Sequence, residues 1–163
     1  MQKRIHVLSR TMFLALMRNS KLNENNIEDM EKEGLYIISI NDPIGDNMEP
    51  DFATSNKSNL LTMRFGDFRI ELDEKLKNQF KKKGHDVFDD SMAIQIRDFV
   101  QKIKNNHLDD FKLLIHCHAG VSRSAAVGLY AFEELQNGTL NEFEFQNPNT
   151  AYNPIVYQKL TEI

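Results

Sequence analysis

Cys117 is the chain's single cysteine. It lies in the run Leu113-Leu114-Ile115-His116-Cys117-His118-Ala119-Gly120-Val121-Ser122-Arg123-Ser124. An apolar, strand-like stretch leads straight into Cys-x5-Arg, and an apolar helical stretch begins at the arginine. His118, Ala119, Gly120, Val121, Ser122 and Arg123 form a link short enough to turn their backbone N–H groups toward one point, a nest of the kind that binds anions. The following helix N-terminus adds further N–H groups and a favourable dipole. Gly120 permits a backbone conformation that a side chain would obstruct. Arg123 offers a bidentate fork that lysine cannot reproduce. Together these make a seat for a tetrahedral dianion, with a nucleophilic sulfur beneath it. Ser124 places a hydroxyl within reach of the sulfur, and His116 is expected to hold the loop through hydrogen bonds.

The sulfur alone does not account for such chemistry. A thiol of ordinary pKa is only about 3% ionised at pH 7, and a helix N-terminus beside a cation raises that fraction about 30-fold at most. Intrinsic nucleophilicity falls with pKa and returns most of the gain. Donors aimed at the oxygens of a transferring group therefore carry the larger share. Other chemistries fit less well. His116-Cys117-His118 suggests a metal, but residues at a strand end alternate in direction and no second cluster completes four ligands. Gly120 to Ser124 lacks the Gly-Lys-[Ser/Thr] ending of a nucleotide-binding loop. His6, His85 and His107 are isolated and read as surface or structural residues.

The elements that position Cys117 alternate between strand and helix. Arg4 to Ser9 and Leu35 to Ile40 are short apolar strands, and Leu60 to Phe65 is a third. Asn41 to Asn59 reads as a long surface loop. Helical patterns cover Thr11 to Arg18, Ile27 to Glu33 with Gly34 as its cap, and Leu72 to Phe80 with Gly84 as its stop. The pattern at Met92, Ile96, Phe99 and Ile103 follows a cap at Asp89 or Asp90. Lys112 to His116 is the last strand. The apolar helix from Arg123 to Gln136 ends at Asn137-Gly138, and Asn153-Pro154 opens a C-terminal helix. This order predicts one α/β domain over residues 1–163. Its core is a mostly parallel sheet of four to five strands with helices on both faces, three layers in all. Ligands of such sheets sit outside the strands' carboxyl ends, where Cys117 lies.

Composition limits the partners. The 163 residues are 40% hydrophobic and 27% charged, with a net charge of −4. That balance fits a globular domain and argues against bulk-charge binding to nucleic acid. A lone cysteine forms no internal disulfide, which predicts a cytoplasmic protein. The apolar run Phe13-Leu14-Ala15-Leu16-Met17 is too short for a signal sequence or a membrane span.

At His116-Cys117-His118-Ala119-Gly120-Val121-Ser122-Arg123-Ser124 the chain resembles the protein tyrosine phosphatase superfamily. It is most similar to the compact dual-specificity type and to small bacterial and phage tyrosine phosphatase-like proteins. Looser similarity extends through IHVLSR, ISINDP, LTMRFGDF and NPIVYQKL. The resemblance implies a tyrosine phosphatase-like fold and a reaction in two steps through a cysteinyl-phosphate, with no cofactor or metal. Cys117 would be the nucleophile, Arg123 and residues 118 to 123 would bind phosphate, and Ser124 would assist loss of the thiolate. It also implies an aspartic acid that protonates the leaving group. Asp67, in Arg64-Phe65-Gly66-Asp67-Phe68, is the first choice, at a strand's carboxyl end beside a glycine. A helix inserted between it and Cys117 leaves Asp73, Asp89 and Asp90 as competitors and Asp42 as an outsider. The expected partner is a phosphorylated protein or peptide carrying phosphotyrosine, with phosphoserine and phosphothreonine open. RNA 5′-triphosphatase activity and a phosphate-binding pseudophosphatase are the alternatives. Phosphoinositide hydrolysis is disfavoured because Ala119 and Val121 add no cations. The lysines of Lys75 to Lys83 read first as a solvated face and second as a lure for acidic phosphopeptides.

Overall fold

The computed structural model describes residues 1–44, 55–84 and 86–162. His85 and most of the expected loop at 41–59 lie outside the described residues. Four strands, β1 (Ile5–Ser9), β2 (Leu35–Asn41), β3 (Leu60–Arg64) and β4 (Lys112–Cys117), form one sheet. Their spatial order is β1-β4-β2-β3 and every pairing is parallel. The last strand in sequence therefore sits between the first two, and Ser9 pairs with Cys117 while Ser39 pairs with His116.

β2 shows why the sheet is covered on both faces. All seven of its residues are buried, and side chains alternate between two cores as the period-2 pleat requires. Leu35 and Ile37 join Phe13, Met17, Ile27, Leu60 and Leu114 beneath helix α1 (Arg10–Asn19) and a 3₁₀ helix (Ile27–Glu33). Tyr36, Ile38 and Ile40 face the larger core, under α3 (Asp90–His107), α4 (Arg123–Gln136) and α6 (Pro154–Glu162). The same alternation splits the site-bearing pair. Cys117 belongs to the α3–α4 side, whereas the His116 ring stacks on Phe13 of α1 at 4.3 Å. The two residues cannot ligate one ion.

The helix caps follow the sequence. Asp89 accepts from Met92 N at 2.8 Å, Gly34 ends the 3₁₀ helix at φ +82°, and Asn153 Oδ1 accepts from Ile155 and Val156 N. Helix α2 (Glu74–Lys82) is capped by Asp73 and buries none of its residues. One helix has no helical apolar period to announce it. Helix α5 (Leu140–Gln146) spaces Phe143 and Phe145 two apart, with Phe143 buried and Phe145 87% exposed. A capping box between Thr139 and Glu142 starts it. No helix among the described residues is long and apolar enough to cross a membrane.

Candidate active site

Gly120 seats the Cys117 loop. Its φ is +71°, and a Cβ there would lie 2.5 Å from Ser9 N and 2.6 Å from Leu8 C. Those are backbone atoms of β1, so the obstacle cannot move aside. The loop can rest on the end of β1 only because residue 120 has no side chain.

The loop's carbonyls are held from outside. Arg10 N donates to His118 O at 3.1 Å, Ala151 N to Val121 O at 2.9 Å, and Asn153 N to Ser122 O at 3.0 Å. In a trans peptide the N–H points opposite to the C=O, and no peptide bond here is cis. The N–H groups of Ala119, Ser122 and Arg123 therefore point away from the donors that hold those carbonyls. Residues 147–153 act as a strap that fixes this orientation through backbone donors.

Cys117, Ser122, Arg123 and Ser124 are all buried. Cys117 Sγ and Ser124 Oγ are 3.1 Å apart. Arg123 donates through Nη1 to Phe65 O at 2.8 Å, and its Nη2 lies 2.9 Å from Asp42 Oδ1. His118 Nδ1 is 3.7 Å from the other Asp42 oxygen. Guanidinium carries five N–H donors, so others remain for an anion above the sulfur.

Below the loop, His116 is locked as a neutral imidazole. Its Nδ1 faces Cys117 O at 3.3 Å, an atom that only accepts, so Nδ1 carries the proton. Nε2 then accepts from Ser39 Oγ at 2.6 Å, and Ser39 Oγ accepts from Asn41 Nδ2 at 3.1 Å. Burial disfavours the charged ring and pushes its pKa from 6.5 down to about 4.

Asp67 meets the Cys117 loop at Ser122. Ser122 Oγ and Asn153 Nδ2 each donate to its Oδ1 at 2.7 Å. The segment carrying it is anchored at Phe65, whose ring meets that of Phe88 at a tilt with centroids 4.8 Å apart, and at Gly66, whose N–H donates to Asp86 O at 2.8 Å. Asn153 Nδ2 also donates to Phe68 O at 3.0 Å, and Arg69 donates to Ser122 Oγ at 2.7 Å. The other aspartates are placed elsewhere: Asp73 and Asp89 cap α2 and α3, and Asp90 pairs with Lys159 at 3.4 Å. Asp42 sits at the site as a partner of Arg123.

Helix α2 stands beside the Asp67 segment, with the Phe80 ring tilted against that of Phe68 at 4.9 Å between centroids. Two of its lysines have acidic neighbours. Lys77 is paired with Glu71 at 3.4 Å and Glu74 at 3.6 Å, and Lys81 shares a groove with Asp86, Asp89 and Asp90. His6 and His107 lie away from this cluster, His107 bonded to Asp110 at 3.0 Å. No group of three or more metal-ligating side chains occurs among the described residues.

Sequence reasoning missed Arg69, Asn153 as a partner of Asp67, and the backbone donors of the strap. Arg69 carried the one available signal, a cation two residues beyond the expected acid.

No family model matches the chain, and no curated protein matches it in sequence. Solved structures do match. The human tyrosine phosphatase-like serine/threonine/tyrosine-interacting protein is 18% identical, with 88% of this chain and 85% of that chain covered and a TM-score of 0.51. The Cydia pomonella PTP-2 phosphatase is 16% identical over 99% of this chain and 86% of that one, with a TM-score of 0.52. Human DUSP28 is 13% identical over 99% and 88%, with a TM-score of 0.52. The chain has the fold of the tyrosine and dual-specificity phosphatases.

Proposed function

We propose that the chain is a phosphomonoester hydrolase that removes phosphate from phosphotyrosine through a cysteinyl-phosphate, with phosphoserine and phosphothreonine open. The fold does not decide this, since its neighbours include both a phosphatase and a protein described as phosphatase-like and interacting. The residues favour catalysis. The observation that carries the reading is Asp67, whose carboxyl is bonded at 2.7 Å to Ser122 of the very loop that surrounds Cys117. A protein that only held phosphate would have no use for a carboxyl held against that loop.

The chemistry follows from the atoms in place. The substrate phosphoryl group sits on the loop's N–H groups and on Arg123, whose free donors match two of its oxygens. Cys117 Sγ attacks phosphorus from below as the ester P–O bond breaks above. Asp67 accepts both hydrogen bonds at Oδ1, which leaves Oδ2 to carry the proton given to the departing oxygen. The thiophosphate is then opened by water. The Asp67 carboxylate takes a proton from that water, the S–P bond breaks, and the Ser124 hydroxyl donates to the sulfur as charge returns to it. Asp42 balances the buried Arg123 charge. Arg123 and the N–H groups supply the positive charge, so no step calls for a metal ion.

A substrate panel tests the reading, with phosphotyrosine and phosphothreonine peptides, a phosphoinositide and 5′-triphosphorylated RNA. Wild type should turn over the phosphotyrosine peptide and be inhibited by vanadate. Cys117→Ser should abolish turnover yet keep phosphate-ester binding. Asp67→Asn should slow the peptide reaction by about 10²–10⁴-fold. Binding without turnover by wild type would establish the pseudophosphatase instead, and release from RNA alone would establish the triphosphatase.

A further inference from the structure

Arg69 is exposed at the surface, yet its guanidinium makes three bonds inward. Nη1 donates to Ser122 Oγ at 2.7 Å and to Ala151 O at 3.0 Å, and Nη2 donates to Tyr152 O at 3.3 Å. Its own backbone belongs to the Asp67 segment. One side chain therefore joins that segment to the Cys117 loop and to the strap at 147–153. We propose that Arg69 is the positioning residue that clasps the Asp67 segment over the Cys117 loop and orients the proton-carrying oxygen of Asp67. The inference rests on the catalytic reading given above and extends it to a residue outside the signature.

The orientation follows from donor counting. Ser122 Oγ lies 2.7 Å from both Arg69 Nη1 and Asp67 Oδ1. Guanidinium has no acceptor, so the hydroxyl must offer Arg69 a lone pair and direct its single proton to Asp67. Asp67 Oδ1 also accepts from Asn153, so both of its bonds arrive as donors. The acidic proton is thereby confined to Oδ2. Without Arg69 the Ser122 hydroxyl keeps its bond to Asp67 but loses the guanidinium that fixes which way its proton points, at a position where it makes no helix cap. The Asp67 segment then keeps Asn153 and the Phe65 anchor but loses its tie to the strap carbonyls.

The role predicts a loss confined to proton transfer. Nitrophenyl phosphate has a good leaving group and needs little help from an acid, whereas phenyl phosphate needs it. Arg69→Ala should lower kcat/KM, which stops at P–O cleavage, on phenyl phosphate by about tenfold or more while changing kcat/KM on nitrophenyl phosphate and vanadate inhibition by less than about threefold. Arg69→Lys, which can reach one acceptor but not fork between three, should fall between wild type and alanine. Equal losses on both esters would show damage to the phosphate seat, and no loss on either would show a passive surface residue; each overturns the proposal. Amide hydrogen exchange reads the clasp without turnover. Residues 66–70 should exchange about tenfold faster in Arg69→Ala, with β4 unchanged. Unchanged exchange at 66–70 overturns the clasp. Faster exchange there in a wild-type background that hydrolyses neither ester would leave the clasp standing and remove the phosphatase reading.

Discussion

Replacing His116 with glutamine should remove one distinct share of the protein's loss of stability in mild acid. In the fold the imidazole is neutral, stacked on Phe13, with both nitrogens committed to Ser39 and to Cys117 O. Its pKa is held at about 4 against 6.5 for an unperturbed ring. The unfolded chain therefore binds a proton at His116 between these values and the folded chain does not. Stability present above pH 6.5 falls as pH drops and levels off below about pH 4. Between pH 7 and pH 5 the loss assigned to His116 is about 2 kcal/mol, at about 1.4 kcal/mol per pH unit once the ring begins to titrate. His6 is also pushed down to about 4, by burial and by Lys3 and Lys112, but it is the same in both proteins and cancels in the comparison. The assay is urea denaturation of wild type and His116→Gln at pH 7 and pH 5. Wild type should lose about 2 kcal/mol more than the variant over that interval. The acid limb of kcat/KM should keep its position in the variant, because His116 does not ionise in the folded protein there. Equal pH dependence of stability in the two proteins would refute the neutral, buried imidazole.

Gly120→Ala should lose vanadate inhibition and at least about 2 kcal/mol of stability, since it adds a left-handed side chain to a clash with the backbone of β1. Retained vanadate affinity together with unchanged denaturation would contradict the seating of the loop on Leu8 and Ser9. Ser124→Ala removes the hydroxyl 3.1 Å from the sulfur. A burst of nitrophenol should then precede a steady state slowed by about 10²-fold, as for loss of one well-placed donor. A burst absent from a slowed variant would place Ser124 in the first step instead.

The parts of the site that depend on residue type were legible in the sequence. Cys117, Gly120, Arg123 and Ser124 each need their own chemistry, so type and spacing were enough to single them out. The family resemblance called for an aspartate, and the place of Asp67 at a strand's end beside Gly66 pointed to the one that meets Ser122. The parts that depend on strand order were not. Asp42 reaches Arg123 because β2 lies next to β4 in the sheet, a neighbourhood the chain order β1 to β4 does not reveal. The strap was hidden for a different reason. Ala151 and Asn153 hold the loop through backbone N–H groups, which every residue but proline possesses. Likewise Phe65 serves Arg123 through its carbonyl, and nothing in a phenylalanine advertises that. Helix α5 went unread because a seven-residue helix that buries a single side chain leaves too little pattern to read.

Ser122 and Asn153 show how the site draws on groups that ordinarily serve the fold. Ser122 occupies the cap position of α4, where a serine hydroxyl typically stabilises a helix by about 1 kcal/mol. Here it makes no cap and is turned to Asp67 instead. Asn153 divides its amide: the oxygen caps α6, and the nitrogen bonds Asp67 and Phe68 O. One carboxylate oxygen thus gathers donors from the start of two helices, α4 and α6, which pack on each other in the main core. The packing of those helices therefore sets where Asp67 stands. A change that shifts α6 against α4, such as Leu160→Ala at a buried α6 position of the main core, should act on proton transfer through Asn153 while leaving the Cys117 loop on β1. It should widen the gap between phenyl and nitrophenyl phosphate as Arg69→Ala does, and equal slowing of both esters would break this link between helix packing and the acid.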